Sequence, residues 1–304
     1  MNRRHAASIA VALGLVLLLA ACAGAGGGGS ASPGTDDGAV EHPTAADALV
    51  LRMEHAGGFV MPEFLFGAVP AFSLYGDGTV IVPGAVPEIF PGPALPPLQA
   101  RRLNEAGIQA ILAKVAQTGI FVADARFDGA QMMIADAADT VFTLNADDRS
   151  VEVSIYGLGA LDPQSVSPEM PEREVAAHAV LGDLSNALFG LDTQLDAGAW
   201  LDEAWHPYQP TALRLLVRPA DTDPLDGTEN FAPWPIEGED PASFGQPGTM
   251  AETRCGALTG EAAAAWIAAL SAGNQSTRFT TDGHRYAVTA RSLLPDEEAA
   301  CPGA

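Results

Sequence analysis

The densest group of side chains that could do chemistry lies between residues 219 and 250, a long segment rich in Pro, Gly and acidic residues. Four carboxylates beside Gly227 are the candidates for a metal site: Asp221, Asp223, Asp226 and Glu229. Calcium takes six to eight oxygen ligands in flexible geometry, so the pattern indicates calcium as the one candidate cofactor. The spacing is not that of an EF-hand, and a solvated loop without a metal is the alternative. No other cofactor is predicted.

Three aromatic residues occupy the same segment: Phe231, Trp234 and Phe244. Either they fix the loop to the hydrophobic core, or they offer a surface for binding a protein or a sugar. Loops of this length are uncommon in compact domains unless they are functional or disordered, and disordered segments usually lack aromatics. We therefore expect this segment to be packed and to be the part of the body most involved in any activity.

The first residues predict an export signal that ends at a lipid-accepting cysteine. Arg3 and Arg4 precede an apolar stretch, residues 7–19, that is too short for a spanning helix and typical of a signal peptide. It ends in Leu19-Ala20-Ala21-Cys22, which resembles the lipobox of bacterial lipoproteins. We expect residues 1–21 to be removed and Cys22 to carry diacylglycerol and fatty acyl chains such as palmitate. An ordinary secretory signal or an uncleaved anchor are the alternatives.

Residues 22–45 begin with Gly, Ala and Ser in no pattern that could pack, so they predict a flexible tether. Lipid on Cys22 would hold the body at the outer face of the cytoplasmic membrane. With Cys22 carrying lipid, Cys255 and Cys301 remain as an even pair in an oxidising compartment, which predicts a disulfide. Two free thiols are the alternative. The bridge would close a loop of about 47 residues and stabilise the fold by about 4 kcal/mol.

Composition excludes several classes of partner. The chain carries a formal net charge of −23, and loss of the two signal-peptide arginines makes it −25. Such acidity repels nucleic acid and anionic lipid headgroups, so nucleic acid is not expected as a partner. Hydrophobic residues make up 48% of the chain, which is too many for a disordered protein. Enough residues follow the tether for one large domain or two small ones.

Alternating and helical patterns then indicate the elements of the first lobe, residues 46–200. A strand is predicted over residues 46–56, ending at Gly57-Gly58, and a hairpin is predicted over residues 72–82 around a Gly-Asp-Gly turn. Asn104 is the predicted N-cap of a helix, and a further hairpin and helix follow up to residue 188.

The second lobe, residues 201–304, repeats this order. A strand is predicted over residues 211–218, and Thr259 is predicted to cap a helix. A closing hairpin turns at Asp282-Gly283. The whole pattern predicts an α+β protein of two lobes, each an antiparallel sheet of hairpins with one or two packed helices.

Two stretches resemble a class of uncharacterised lipoproteins from high-GC Gram-positive, actinobacterial-type bacteria. The first is Phe-Ser-Leu-Tyr-Gly-Asp-Gly-Thr-Val from Phe72, with the proline-rich crossing and the helix of residues 103–120 that follow. The second runs from Tyr286 to Glu297, followed by Cys301. The resemblance implies the lipoprotein address and a shared fold. It implies no activity and no catalytic residue.

No local pattern for catalysis is present in the sequence. There is no G-x-S-x-G, no P-loop and no Rossmann fingerprint, and the histidines after the signal peptide are scattered singly: His42, His55, His178, His206 and His284. We therefore expect a non-catalytic envelope lipoprotein that binds a protein or a small ligand. A secreted, hydrolase-like enzyme with a site assembled from distant segments is the second hypothesis. An inhibitor or a structural envelope protein is the third.

Overall fold

The computed structural model describes residues 38–130, 132, 134–160 and 169–302. Residues 1–37, with the predicted signal peptide, Cys22 and most of the predicted tether, lie outside the described residues. From Ala39 onward the chain forms one compact unit built on two sheets, which confirms the α+β fold with two lobes. Among the described residues, no helix is long and apolar enough to cross a membrane.

The first lobe is an eight-stranded sheet covered on one face by helices. Its elements are β1 (Leu49–Gly57), α1 (Pro62–Gly67), β2 (Phe72–Tyr75), β3 (Thr79–Pro83), β4 (Leu98–Arg102), α2 (Glu105–Gln117), β5 (Ala125–Phe127), β6 (Ala138–Ala146), β7 (Arg149–Tyr156), α3 (Glu172–Phe189), α4 (Leu191–Gln194) and β8 (His206–Pro207). The strand order is β5-β7-β6-β1-β2-β3-β4-β8, and all neighbours are antiparallel except β5 and β7.

Side-chain alternation decides which face of this sheet the helices cover. Phe72 and Leu74 of β2 join the core formed with α2 and α3, whereas Ser73 and Tyr75 lie on the opposite face. Asn104 caps α2 as predicted, because its side-chain oxygen accepts the backbone N–H of Gly107 at 3.0 Å.

The second lobe is a six-stranded sheet with one helix. Its elements are β9 (Ala212–Pro219), β10 (Phe231–Pro233), β11 (Gln246–Pro247), β12 (Arg254–Thr259), α5 (Gly260–Ser271), β13 (Arg278–Thr281) and β14 (His284–Ser292). The strand order is β10-β13-β14-β9-β12-β11, and only β10 and β13 are parallel. Thr259 is the N-cap residue of α5, as predicted, but its side chain makes no capping hydrogen bond.

Two boundaries differ from the sequence prediction. Packing begins before residue 45, because Val40 lies against the first core and donates its N–H to Gln109 at 2.9 Å. The packed part of the chain therefore begins inside the predicted tether, at Val40. The first sheet also continues past residue 200, since His206 and Pro207 pair with β4.

The two lobes exchange segments. Helix α1, which belongs to the first lobe in sequence, lies against β14 of the second sheet. In return, the residues after β14 cross to the first sheet, where Leu294 packs with Tyr75, Ile81 and Leu98. Each lobe therefore contributes a segment that packs on the sheet of the other lobe.

Candidate functional site

The acidic segment from 219 to 250 is neutralised by the protein's own basic side chains. Asp223 accepts two hydrogen bonds from the guanidinium of Arg218, at 2.8 and 3.0 Å, and Arg278 lies 3.5 Å from the same carboxylate. The hydrogen bond from Arg218 and the charges of both arginines lower the pKa of Asp223. Asp223 is therefore fully occupied without a metal ion.

The other three candidate ligands also have local partners. Asp221 accepts hydrogen bonds from His284 and from the backbone N–H of Arg285, each at 2.7 Å. Asp226 and Glu229 close their own turn by accepting backbone N–H groups of residues 226–228. Within the described residues, no three His, Cys, Asp or Glu side chains come together as a metal site. Arginine, histidine and backbone donors take up the carboxylates predicted to bind calcium, and the described structure does not bring these four carboxylates together.

The three aromatic residues of this segment have different positions. Trp234 and Phe244 are buried in the second core, where Trp234 packs edge-on against Trp266 with ring centroids 4.7 Å apart. They fix the segment to the core, which is the first of the two predicted alternatives, and both side chains are buried. Phe231 is 52% exposed on the edge strand β10. The segment is thus packed on the core at Trp234 and Phe244, whereas residues 221–230 are exposed or half-buried.

Cys255 and Cys301 form the predicted disulfide, with a Cα–Cα distance of 6.0 Å. Cys255 is in β12, and Cys301 is in the segment that follows β14. The bridge therefore fastens the C-terminal segment to the second sheet. Leu216 and the half-buried Phe66 of α1 pack against it.

A buried network of charges joins the lobes, and the sequence analysis did not identify it. Asp296 accepts a hydrogen bond from Arg52 at 2.7 Å and another from the hydroxyl of Tyr75 at 2.8 Å. Arg52 is only 8% exposed, and it also donates to Ser73 at 3.3 Å. Asp296, which lies in the C-terminal segment, therefore accepts the hydrogen bonds of two buried groups of the first sheet.

The neighbouring carboxylate serves the second sheet. Glu297 receives both terminal nitrogens of Arg291 at 2.7 Å, and its Oε2 also accepts the N–H of Leu294. The Nε of Arg291 donates to the carbonyl oxygen of Ala68, at the end of α1. Asp296 and Glu297 are thus adjacent in sequence but neutralise arginines of different sheets.

Burial and these charges change the acid–base behaviour of the interface. The pKa of Tyr75 is raised well above its usual value, first by burial and then by the charge of Asp296. Burial, followed by repulsion from Arg291, lowers the pKa of Arg214, whose guanidinium lies 5.2 Å from the ring centre of Phe66. The groups of this network are paired with each other or packed against the protein, so the network holds the lobes together and does not form an open reactive site.

A strongly exposed apolar surface covers the end of the connection from β1 to α1 and the first residues of α1. We call residues Phe59–Leu65 the apolar loop. Phe59 is 85% exposed, Met61 70% and Phe64 68%, and Val60 and Leu65 are also exposed. Single exposed apolar residues are common, whereas several in one short segment mark an interaction surface.

Defined contacts hold the apolar loop outward. Gly57 and Gly58 precede it with φ of +70° and +83°, a backbone conformation that residues with a side chain rarely adopt. The N–H of Phe59 donates to the carbonyl oxygen of Asp136 at 3.2 Å. At the other end, Phe66 packs against Leu216 and the Cys255–Cys301 disulfide. The exposed side chains therefore project from a backbone that is anchored on both sides.

Acidic side chains border the apolar loop. Glu54 precedes it on β1, Glu63 lies within it, and the exposed Asp136 is held beside Phe59. Of the basic groups nearby in the fold, Arg218 is bound by Asp223 and Arg126 forms an ion pair with Asp139 at 3.1 Å. The side of the apolar surface next to Asp136 is therefore acidic, whereas at the other side Arg218 lies near Glu63 and Arg214 lies against Phe66.

The sequence pattern did not single out the apolar loop, because its run of apolar residues has neither a strand period nor a helix period over enough residues. A signal was present nevertheless. Paired glycines precede the run and Gly67 ends it, which sets it apart from the neighbouring strands, and residues 62–67 form the short helix α1.

Comparisons with protein-family models, with curated proteins and with solved structures found no match to this chain. The proposed function therefore rests on the amino-acid sequence and on the geometry of the described residues.

Proposed function

We propose that this protein is an exported lipoprotein, held at the outer face of the cytoplasmic membrane by lipid on Cys22, whose body binds another envelope molecule. The apolar loop is the binding surface, and binding rather than catalysis is the activity. The lipobox-like sequence supports the anchor, and the group of exposed aromatic and aliphatic side chains supports the binding surface.

The position of the apolar loop carries the proposal. Burying Phe59, Met61 and Phe64 against a partner removes a large apolar area from water, and such anchors supply most of the energy of an interface. The loop is anchored by the hydrogen bond from Phe59 to Asp136 and by the packing of Phe66, so little ordering entropy is lost on binding.

The anchor is tested by labelling cells with an alkyne fatty acid. We expect the parent chain to take up label and Cys22→Ala to take up none and accumulate as precursor. Cys255→Ser, which leaves the lipobox intact, is the matched control and should remain labelled. Equal labelling of Cys22→Ala and the parent would contradict the anchor.

The binding surface is tested by photo-crosslinking in cells of the source organism. The full chain carries p-benzoylphenylalanine in place of Phe64 or, as the control, in place of Phe189, which is 62% exposed at the end of α3. We expect ultraviolet light to give a discrete adduct at position 64 and none at position 189. No adduct at position 64, or the same pattern at both positions, would contradict the proposed function.

A further inference from the structure

The apolar loop could in principle face three kinds of occupant: the bilayer, a second copy of the chain, or another protein. We infer that its occupant is another protein, one that presents an apolar cleft bordered by lysine or arginine side chains. This inference rests on the proposed function and adds the chemistry of the partner.

The charge at the margin of the loop is the first observation. Asp136 is exposed beside Phe59, Glu63 lies among the apolar side chains, and Glu54 precedes them on β1. Arg126 and Arg218 are paired with aspartates, and Arg218 also lies near Glu63. An interface whose rim is acidic on one side is favoured by a basic rim on the other, which speeds association and rejects acidic surfaces.

Charge argues against the bilayer. The surface potential of a membrane that contains anionic lipids is negative, and it repels carboxylates within a Debye length. An apolar loop that enters such a membrane is normally accompanied by basic residues, whereas Glu54, Glu63 and Asp136 accompany this one.

The same charges oppose pairing of two copies through this loop. A symmetric contact would place each acidic margin against its own copy, between bodies of formal charge −25 each once residues 1–21 are removed. A partner with the opposite sign of charge avoids this repulsion. Aromatic and methionine side chains, as at Phe59, Met61 and Phe64, are enriched in the buried centre of protein–protein interfaces.

The test uses the same photo-crosslinking chain, with p-benzoylphenylalanine at position 64, and changes only the margin. The variant Glu54→Lys/Asp136→Asn alters the charge by three, and Asn tolerates the positive φ of +68° at position 136. The matched control, Asp183→Lys/Glu203→Gln, makes the same change at exposed positions on α3 and near β8.

We expect the parent adduct to contain a different protein, identified by mass spectrometry, with basic residues around the crosslinked site. The margin variant should reduce its yield about tenfold and the control should leave it within twofold, as one 1.4 kcal/mol step in affinity corresponds to tenfold. An adduct with lipid, an adduct with a second copy, or a protein adduct equally abundant in both variants would overturn the inference. Each of these outcomes still contains an adduct at position 64, so it is distinct from the failure of the proposed function.

Discussion

At the residue scale, Asp223 has a different partner in the structure from the one that its sequence pattern predicts. In the sequence it is one of four alternating carboxylates, a pattern that suits calcium. In the structure two arginines hold it, and one of them, Arg278, comes from a strand 55 residues further along the chain. Sequence spacing could not reveal that partner, because β13 reaches Asp223 only through the folding of the second sheet.

The pairing of Asp223 predicts an acid-sensitive contribution to stability. Its pKa is lowered in the folded state, so the contribution is present above the unfolded-state pKa of about 3.9 and is lost as the pH falls through the lower folded value. We expect Asp223→Asn to lose less unfolding free energy than the parent between about pH 5 and pH 2, measured by urea titration. The melting temperature of the parent should be the same in millimolar calcium and in chelator. Equal acid sensitivity of the two chains would contradict the role of the pair.

Tyr75 predicts the opposite dependence at alkaline pH. Its folded-state pKa is raised, so the stability from the neutral phenol is complete below the unfolded-state pKa of about 10 and is lost as the pH rises above it. We expect the unfolding free energy of the parent to fall between about pH 9.5 and pH 11, and Tyr75→Phe to reduce that fall. Tyr75→Phe should cost about 1 kcal/mol at pH 7, because it removes the hydroxyl that binds Asp296. An unchanged alkaline slope in Tyr75→Phe would refute the assignment.

At the scale of elements, local patterns determine much of the first lobe. Its hairpin at residues 72–82 and helix α2 were predicted from turn glycines, alternation and the Asn104 cap, which are all local signals. Strand β12 was not predicted, because Arg254–Thr259 contains glycine and alanine and has little β propensity. It lies inside the sheet because β9 and β11 pair with both of its edges.

Gly256 of β12 explains why the 219–250 segment packs on this strand. A Cβ at Gly256 would clash with the ring of Phe244, so the absence of a side chain there leaves the space that Phe244 fills. The strand that looks weakest by propensity is therefore the one that accepts an aromatic ring from the long segment. That requirement arises only from the packing between distant residues.

The contact between Gly256 and Phe244 predicts that alanine at position 256 destabilises the protein. Alanine at Gly182, which has no such neighbour, is predicted to have the opposite effect. Gly256→Ala should cost about 1–3 kcal/mol, because the ring of Phe244 must move out of a close-packed core. Gly182→Ala, in α3 with no atom near the added Cβ, should stabilise by about 0.5–1 kcal/mol through helix propensity. Urea unfolding of both variants measures the difference, and a neutral Gly256→Ala would show that Phe244 does not depend on this space.

At the scale of the whole molecule, the candidate binding surface depends on both lobes. The apolar loop follows the end of β1 in the first sheet. It is followed by Phe66, which packs on the second sheet beside the disulfide. Sequence analysis predicted the Cys255–Cys301 bridge from the count of cysteines. It could not predict where α1 docks, because that requires knowing which face of the second sheet remains open.

The exchange of segments predicts that the lobes unfold together. Asp296 from the C-terminal segment holds Arg52 of the first sheet, while Glu297 holds Arg291 of the second. Unfolding either lobe leaves one of these buried charges without its partner, which typically costs 3–5 kcal/mol. We therefore expect hydrogen exchange to give the most protected amides of β1 and β9 the same opening free energy.

The variant Asp296→Asn/Glu297→Gln removes the charges that couple the sheets while keeping the shape of the side chains. We expect the opening free energies of β1 and β9 to fall and to separate, since each lobe then keeps its own core but loses the ionic link. The control is Glu261→Gln, a carboxylate in the first turn of α5, which should lower both values by a few tenths of a kcal/mol at most. Different opening free energies for β1 and β9 already in the parent would contradict coupling through the C-terminal segment, because a shared link requires the two sheets to lose protection in one event.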